Sequence, residues 1–296
     1  MNQTELNNLL LRANSLVKTN WIHAVHILEQ AKQEHPKNMQ ILMNLGNIFL
    51  ERQLFEKALT FYQEAISLRP KDKQLLYLIG NCYFATGEYQ IAITYFNQID
   101  DPPPEVLYNK ALGLAFLGSY KESITVIHQI LKVLTDNPFI YFLLIEQYLR
   151  IQNYDEAYKV ISIAEKRFGR HRQLLLLSAV VHSKKGIWLK AYHCFAEYEV
   201  LSPINSPDHL TSFAVAASKI GLNDKAIALL FRAREINPYI SGIYEELIRL
   251  QLHKGDTSGA KASLNLAKKY ITRFNPILRL LQERIRNEEL DSNHPS

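Results

Sequence analysis

The hydrophobic positions of this chain fall into short blocks that return at a nearly fixed interval. Within residues 39–72, Leu42, Leu45, Gly46 and Phe49 lie on one face at helical spacing, and Ala58, Tyr62 and Ala65 make an i, i+4, i+7 stripe on a second helix that Pro70 stops. Aligning the chain to itself brings Ala24, Ala58, Ala92, Ser123, Ala157, Ala191, Ala226 and Ala260 into register, at steps of 34, 34, 31, 34, 34, 35 and 34 residues. Turn signals stand just before most of them: GEY at 87, GSY at 118, QNY at 152, GIW at 186, GLN at 221 and GDT at 255. Pro36, Pro70, Pro203 and Pro238 sit at matching ends of their units, where one helix must stop before the next begins. The small residues at 46, 58 and 65 let paired helices approach closely; a larger side chain there overpacks the contact at a cost of ~1–3 kcal/mol.

Eight helical hairpins follow, at about 5–38, 39–72, 73–103, 104–137, 138–171, 172–206, 207–240 and 241–274. One hairpin cannot bury its own apolar face, so the units are expected to stack on a shared core with a polar cap at each end. Asn275 and Pro276 read as the N-cap and first turn of a capping helix over 276–290, with Ile277, Leu280 and Leu281 inward and Gln282, Glu283, Arg286 and Glu289 in water. The expectation is a single domain over 1–290, with 291–296 as a flexible tail.

The pattern resembles the tetratricopeptide repeat (TPR) family, a 34-residue helix-turn-helix with W-x-x-L-G-x-x-Y, A-x-x-x-F and a final Pro. The resemblance covers about residues 5–274. It is closest in LMNLGNIF with Ala58, Tyr62, Ala65 and Pro70, and in LYLIGNCY with Gly87, Tyr89, Ala92 and Phe96. Leu42 and Leu76 replace the tryptophan, the fourth unit starts three residues early behind DDPPPE, and the fifth to eighth units lose the leading glycine. The resemblance implies an all-α fold, a right-handed α-solenoid whose concave groove binds segments of other proteins.

Composition narrows the class. The formal charge is +5 over 296 residues, yet residues 1–218 hold 21 Lys/Arg against 20 Asp/Glu, so the excess is concentrated near the C-terminus and argues weakly for nucleic acid. Arg12 follows Leu9 to Leu11, an order unlike a secretory signal, and the longest apolar run, LLLLSAVV at 174–181, is well short of the ~20 residues of a membrane helix. A cytoplasmic location is expected. Cys82 and Cys194 lie three units apart, too far for a disulfide, and both read as core thiols.

The chain contains no HExxH, Walker-type glycine loop, GxSxG, EF-hand loop or Cys-x-x-Cys, so neither an enzyme nor a cofactor is expected. His23 and His26 share a helix face, but no second pair completes a metal site, and they read as surface histidines. His193 and Cys194 are adjacent and so diverge on a helix; core packing is expected for them. KRFGRHR at 166–172 with Lys184, Lys185 and Lys190 makes a positive region that reads as a solvated connector, since Phe168 alone interrupts the run.

The informative positions are those facing away from the buried stripe. At the place of Met43 the successive units carry Leu9, Met43, Tyr77, Tyr108, Phe142 and Leu176, turning polar only at Thr211 and Glu245. Asn44, Asn47, Asn81 and Asn109 set amide groups beside this apolar row. Such a face suits a peptide or amphipathic helix laid in a groove; packing between units is the competing account. Further along the same face stand Arg150, Lys184, Lys219 and His253, where earlier units have Val17, Glu51, Ala85 and Phe116. A bound segment would then be apolar at one end and acidic at the other, unless these cations only complement helix dipoles. The clamp with which some relatives hold chaperone C-termini is incomplete, with Met43 and Leu78 at its lysine and asparagine places. The resulting expectation is a non-enzymatic scaffold that binds proteins. The alternatives are an RNA-binding repeat protein, suggested by a pI of 9.0, and a regulatory subunit of an enzyme.

Overall fold

The computed structural model describes residues 3–293, with side chains described for 4–287. Among the described residues the chain is all α-helix: α1 (Gln3–Leu16), α2 (Trp21–Glu34), α3 (Met39–Glu51), α4 (Phe55–Leu68), α5 (Lys73–Ala85), α6 (Tyr89–Phe96), α7 (Pro104–Phe116), α8 (Tyr120–Leu131), α9 (Pro138–Arg150), α10 (Tyr154–Phe168), α11 (Arg172–Lys184), α12 (Trp188–Leu201), α13 (Pro207–Lys219), α14 (Asn223–Ile236), α15 (Ser241–His253), α16 (Thr257–Tyr270) and α17 (Pro276–Asn293). Two compact units share these helices, Met1–Ile140 and Tyr141–Ser296, and the division falls inside α9. The repeat pattern, from which a single domain is expected, carries no mark of that division.

In the first unit α1 packs on α2, α3 on α4, α5 on α6 and α7 on α8, while α2, α4 and α6 each pack on the first helix of the next hairpin. The second unit repeats this scheme through α11–α12, α13–α14 and α15–α16. All eight aligned small residues, from Ala24 to Ala260, are fully buried; Ser123, the one hydroxyl among them, donates to the Ala111 carbonyl at 2.8 Å. The reason for small residues is explicit at two crossings. A Cβ on Gly46 would stand 2.3 Å from Tyr62 Cε1, and one on Gly80 would stand 2.4 Å from Phe96 Cε1.

Each hairpin from the second to the eighth turns on one residue of left-handed backbone. Gly87, Gly118, Gly186, Gly221 and Gly255 take φ between 72° and 86°, and Gln152 takes the same place at 58°. Gln53, which no turn signal marks, does so as well at 58°; there the Leu54 N–H reaches back to the Phe49 carbonyl at 2.9 Å, closing the end of α3. The shortened third unit shows as an α6 of 8 residues followed by Asp101 at φ 49°, ahead of the proline run that opens α7.

At the C-terminus Asn275 caps α17 as expected, accepting from the Leu278 N–H at 3.0 Å. The inward stripe is different. Leu278, Leu281 and Ile285 are buried against α15 and α16, whereas Ile277 and Leu280 are 44% and 66% exposed. A helix rotated to bury Ile277 and Leu280 would bring Arg284 inward at i+7; the observed register presents Ile285 instead. Gln282, Glu283 and Arg286 are exposed as expected. Helix α17 continues to Asn293, past the start of the expected tail at 291. Residues 294–296 of that tail lie outside the described residues, as does the side chain of Glu289.

Candidate functional site

The face expected to bind a partner is built by the first helices of the hairpins. In the first unit Leu9, Met43, Tyr77 and Tyr108 are half-buried at the same place on α1, α3, α5 and α7. Leu9 and Met43 rest against the core of their unit, so part of the apolar row is packing between hairpins. Tyr77 and Tyr108 border an open cleft of about 360 Å³, lined also by Pro104, Asn109, Leu134 and Phe139, all within the first unit. The Tyr77 ring is braced by Phe96, with centroids 6.2 Å apart.

The amides divide into two groups. Asn109 Nδ2 donates to Asn81 Oδ1 at 2.8 Å and lies 3.5 Å from Tyr77 Oη, so α5 and α7 are tied together at the edge of the cleft. Asn47 Oδ1 accepts from Tyr62 Oη at 2.7 Å, which leaves its Nδ2 free to donate elsewhere. Asn44 does not fit the expectation: its Nδ2 is enclosed and finds no hydrogen-bond partner among the described residues, so it is withdrawn from any ligand.

In the second unit the row changes character. Phe142 is 1% exposed, its ring 4.8 Å from that of His171, and it offers no accessible aromatic anchor. Leu176 is half-buried against its unit's core. The part of the predicted row that lines the cleft is Tyr77 and Tyr108. Phe139, 52% exposed at the cleft, is absent from the sequence expectations; its cue is the Pro138–Phe139 pair at the first turn of α9.

Other candidates resolve into structural roles. His193 is exposed, contrary to the expected core packing, and Cys194 is half-buried, with burial first and then Glu165 and Glu197 pushing its thiol up to about 11. Cys82 is buried, and both thiols are unpaired. His26 is exposed and His23 half-buried. In the basic run, Arg170 pairs with Glu197 at 2.9 Å, Arg167 donates to Tyr141 Oη at 2.9 Å, and His171 caps α11 by accepting from the Gln173 N–H at 3.2 Å. It is a connector in which two of the charges, Arg167 and Arg170, are engaged by neighbouring side chains. Among the described residues no group of three or more His, Cys, Asp or Glu side chains is placed to hold a metal ion, and no helix is long and apolar enough to cross a membrane.

Two family models fall on α3 to α6 and the turns around them. One described as TPR repeat matches residues 46–87, and one described as Tetratricopeptide repeat matches residues 74–101. The chain carries tetratricopeptide repeats. Its TPR hairpins superpose on a chain of the APC/C hetero-tetramer Cut9-Hcn1 with a TM-score of 0.60 at 17% identity, over 94% of this chain and 55% of that one. This TPR chain thus spans about half the length of that relative. A tetratricopeptide repeat protein from Parabacteroides merdae matches with a TM-score of 0.59 at 15% identity, over 84% of this chain and 98% of that one. Pseudomonas aeruginosa pilF matches at 0.53 and 15%, over 67% and 91%. At these identities the likeness is one of fold. No curated protein matches the TPR chain by sequence.

Proposed function

We propose that this TPR chain is a non-enzymatic scaffold that binds a short extended or helical segment of another protein in the cleft beside Tyr77 and Tyr108. The observation that carries the reading is the cleft itself. About 360 Å³ of open space is bordered by two tyrosines, an exposed phenylalanine, a leucine and a proline, with the Asn81–Asn109 amide pair at its rim. Aromatic side chains held in place by neighbours give large contact area at little entropic cost, and such residues carry most of the energy at interfaces. Amides at the rim suit backbone carbonyl and N–H groups of a bound segment.

The test is selection from a random displayed-peptide library on the full chain, followed by titration of the selected peptides against a variant with Tyr77→Ala and Tyr108→Ala. Affinity should fall by at least tenfold, since removal of two anchors at more than ~1 kcal/mol each exceeds that threshold. Helicity should be unchanged. Selected peptides that bind the variant as well as the parent, or a library that yields no binder at the cleft, would remove the reading.

A further inference from the structure

The second unit carries a row of basic side chains that its own fold leaves without partners among the described residues. Arg150, Lys184, Lys219 and His253 are the last residues of α9, α11, α13 and α15, and all four are exposed. None is ion-paired or hydrogen-bonded through its side chain among the described residues, though Arg150 lies near Glu146 one turn earlier. Their neighbours behave differently. Lys185 and Lys254, one position further on, are ion-paired to Asp155 and Asp224 at the start of the preceding hairpin's second helix.

Helix-dipole complementarity does not account for the row. Lys185 and Lys254 already supply a cation at the ends of α11 and α15, so Lys184 and His253 are redundant for that purpose. In the first unit the corresponding helix ends carry Glu51, Ala85 and Phe116; α5 and α7 form without a terminal cation, and α3 has one only at its C-cap, Arg52. A requirement of the hairpin would act on every repeat; this one acts only in the second unit.

We propose that the row is a docking site for an acidic, extended protein segment whose carboxylates recur at about every third residue. Helices α11 and α13 touch, as do α13 and α15, and packed helices lie about 8–10 Å apart. An extended chain advances about 3.3 Å per residue, so three residues span one step of the row. A phosphate backbone carries a charge about every 3.4 Å along a strand, which a single cation per helix pair does not match. The row also lacks the aromatic platforms on which single-stranded bases stack. This site is made of other residues than the Tyr77–Tyr108 cleft and does not depend on it.

The experiment uses the full chain at low ionic strength and fluorescence anisotropy of a labelled peptide built from four Glu-Gly-Ser units. Two further probes are a peptide of the same composition with its glutamates contiguous and an oligouridine of equal length. The spaced peptide should bind more tightly than either, and the affinity should fall as salt is added. Lys184→Glu with Lys219→Glu should weaken it by about tenfold or more, since each attraction becomes a repulsion. Lys166→Glu with Lys190→Glu, an equal charge change outside the row, should have little effect, and Tyr77→Ala with Tyr108→Ala should leave peptide binding intact. If the reversed variant does not fold, Lys184→Gln with Lys219→Gln decides, with a smaller loss expected. The proposal is overturned if the spaced peptide does not bind, if it binds the row variants unchanged, or if the oligouridine binds more tightly and is the probe the row variants lose.

Discussion

Replacing Gly46 by alanine adds one methyl group at the closest approach of α3 to α4. That methyl would meet Tyr62 Cε1 at 2.3 Å, Cδ1 at 2.7 Å and Cζ at 2.9 Å, whereas carbon atoms rest at about 3.5–4.0 Å. The ring must therefore retreat by roughly 1 Å or more, and it is poorly placed to do so. Tyr62 is completely buried, and its hydroxyl is held by Asn47 at 2.7 Å. Retreat forfeits that hydrogen bond, worth ~0.5–1.5 kcal/mol, and adds overpacking strain of ~1–3 kcal/mol. Against this, alanine gains ~0.5–1 kcal/mol over glycine inside a helix. The clash wins, and a net loss of about 1–3 kcal/mol is expected.

Urea unfolding followed by tryptophan fluorescence measures this locally. Trp21 packs edge-on against Phe49 in the first unit and Trp188 lies in the second, so a Trp188→Phe background confines the signal to the unit that holds Gly46. Tyr62→Leu should rescue Gly46→Ala in part, because the chain itself pairs Ala214 with Leu230 at the equivalent crossing, both buried. A double-mutant cycle should return a favourable coupling of ~0.5–3 kcal/mol. Gly46→Ala unfolding at the parent's urea midpoint or above it, with no coupling to position 62, would refute the argument.

Other outcomes follow from single positions. Gln152→Gly should raise the thermal midpoint, since residue 152 holds φ 58° and glycine adopts that backbone without the ~1 kcal/mol penalty of a side chain. Gly87→Ala should lower it by a similar amount through strain alone, because a Cβ there meets nothing within 4 Å. His182 donates from Nδ1 to the Ser178 carbonyl at 2.6 Å, and burial holds it below the ordinary value of 6.5. The unfolded chain then binds the proton first, so stability should fall as pH drops below about 6.5 and level off once the folded histidine also protonates. His182→Gln should flatten that part of the melting profile against pH.

The spacing of small residues in the sequence located the hairpins, because a residue that must be small at a helix crossing is hard to substitute and so repeats. The missing leading glycines also have a physical account. Gly46 faces Tyr62 and Gly80 faces Phe96, but the equivalent pairs Ala214 with Leu230 and Ile248 with Leu264 are all buried. In those two units a smaller partner on the second helix makes room for a Cβ on the first, whereas the sixth unit keeps a large ring, Phe195, at the place opposite Ala179. What the pattern concealed are features that depend on backbone conformation or on a choice between two similar stripes. Gln53 adopts a glycine-like φ because the hairpin demands it, and no residue type announces that demand. In α17 the stripe through Ile277 and the stripe through Leu278 are apolar over the first two turns alike; Ile285 against Arg284 decides between them.

The candidate face shows the sharper limit of reading one helix at a time. A residue that points away from its own hairpin's core can still be covered by another element, and periodicity within a helix does not register such cover. Phe142 and Tyr108 occupy the same repeat position, yet Phe142 is buried with its ring on that of His171 while Tyr108 borders open space. His171 itself is the N-cap of α11, so the segment that opens one hairpin also covers the expected anchor of the one before. At Tyr108 the counterpart of His171 is Asn137, which instead joins the lining of the cleft. The aromatic row is thus interrupted by what the inter-hairpin connector carries, a ring at 171 and a short amide at 137. The side chain that ends one repeat therefore sets whether the aromatic on the preceding helix is core or contact surface.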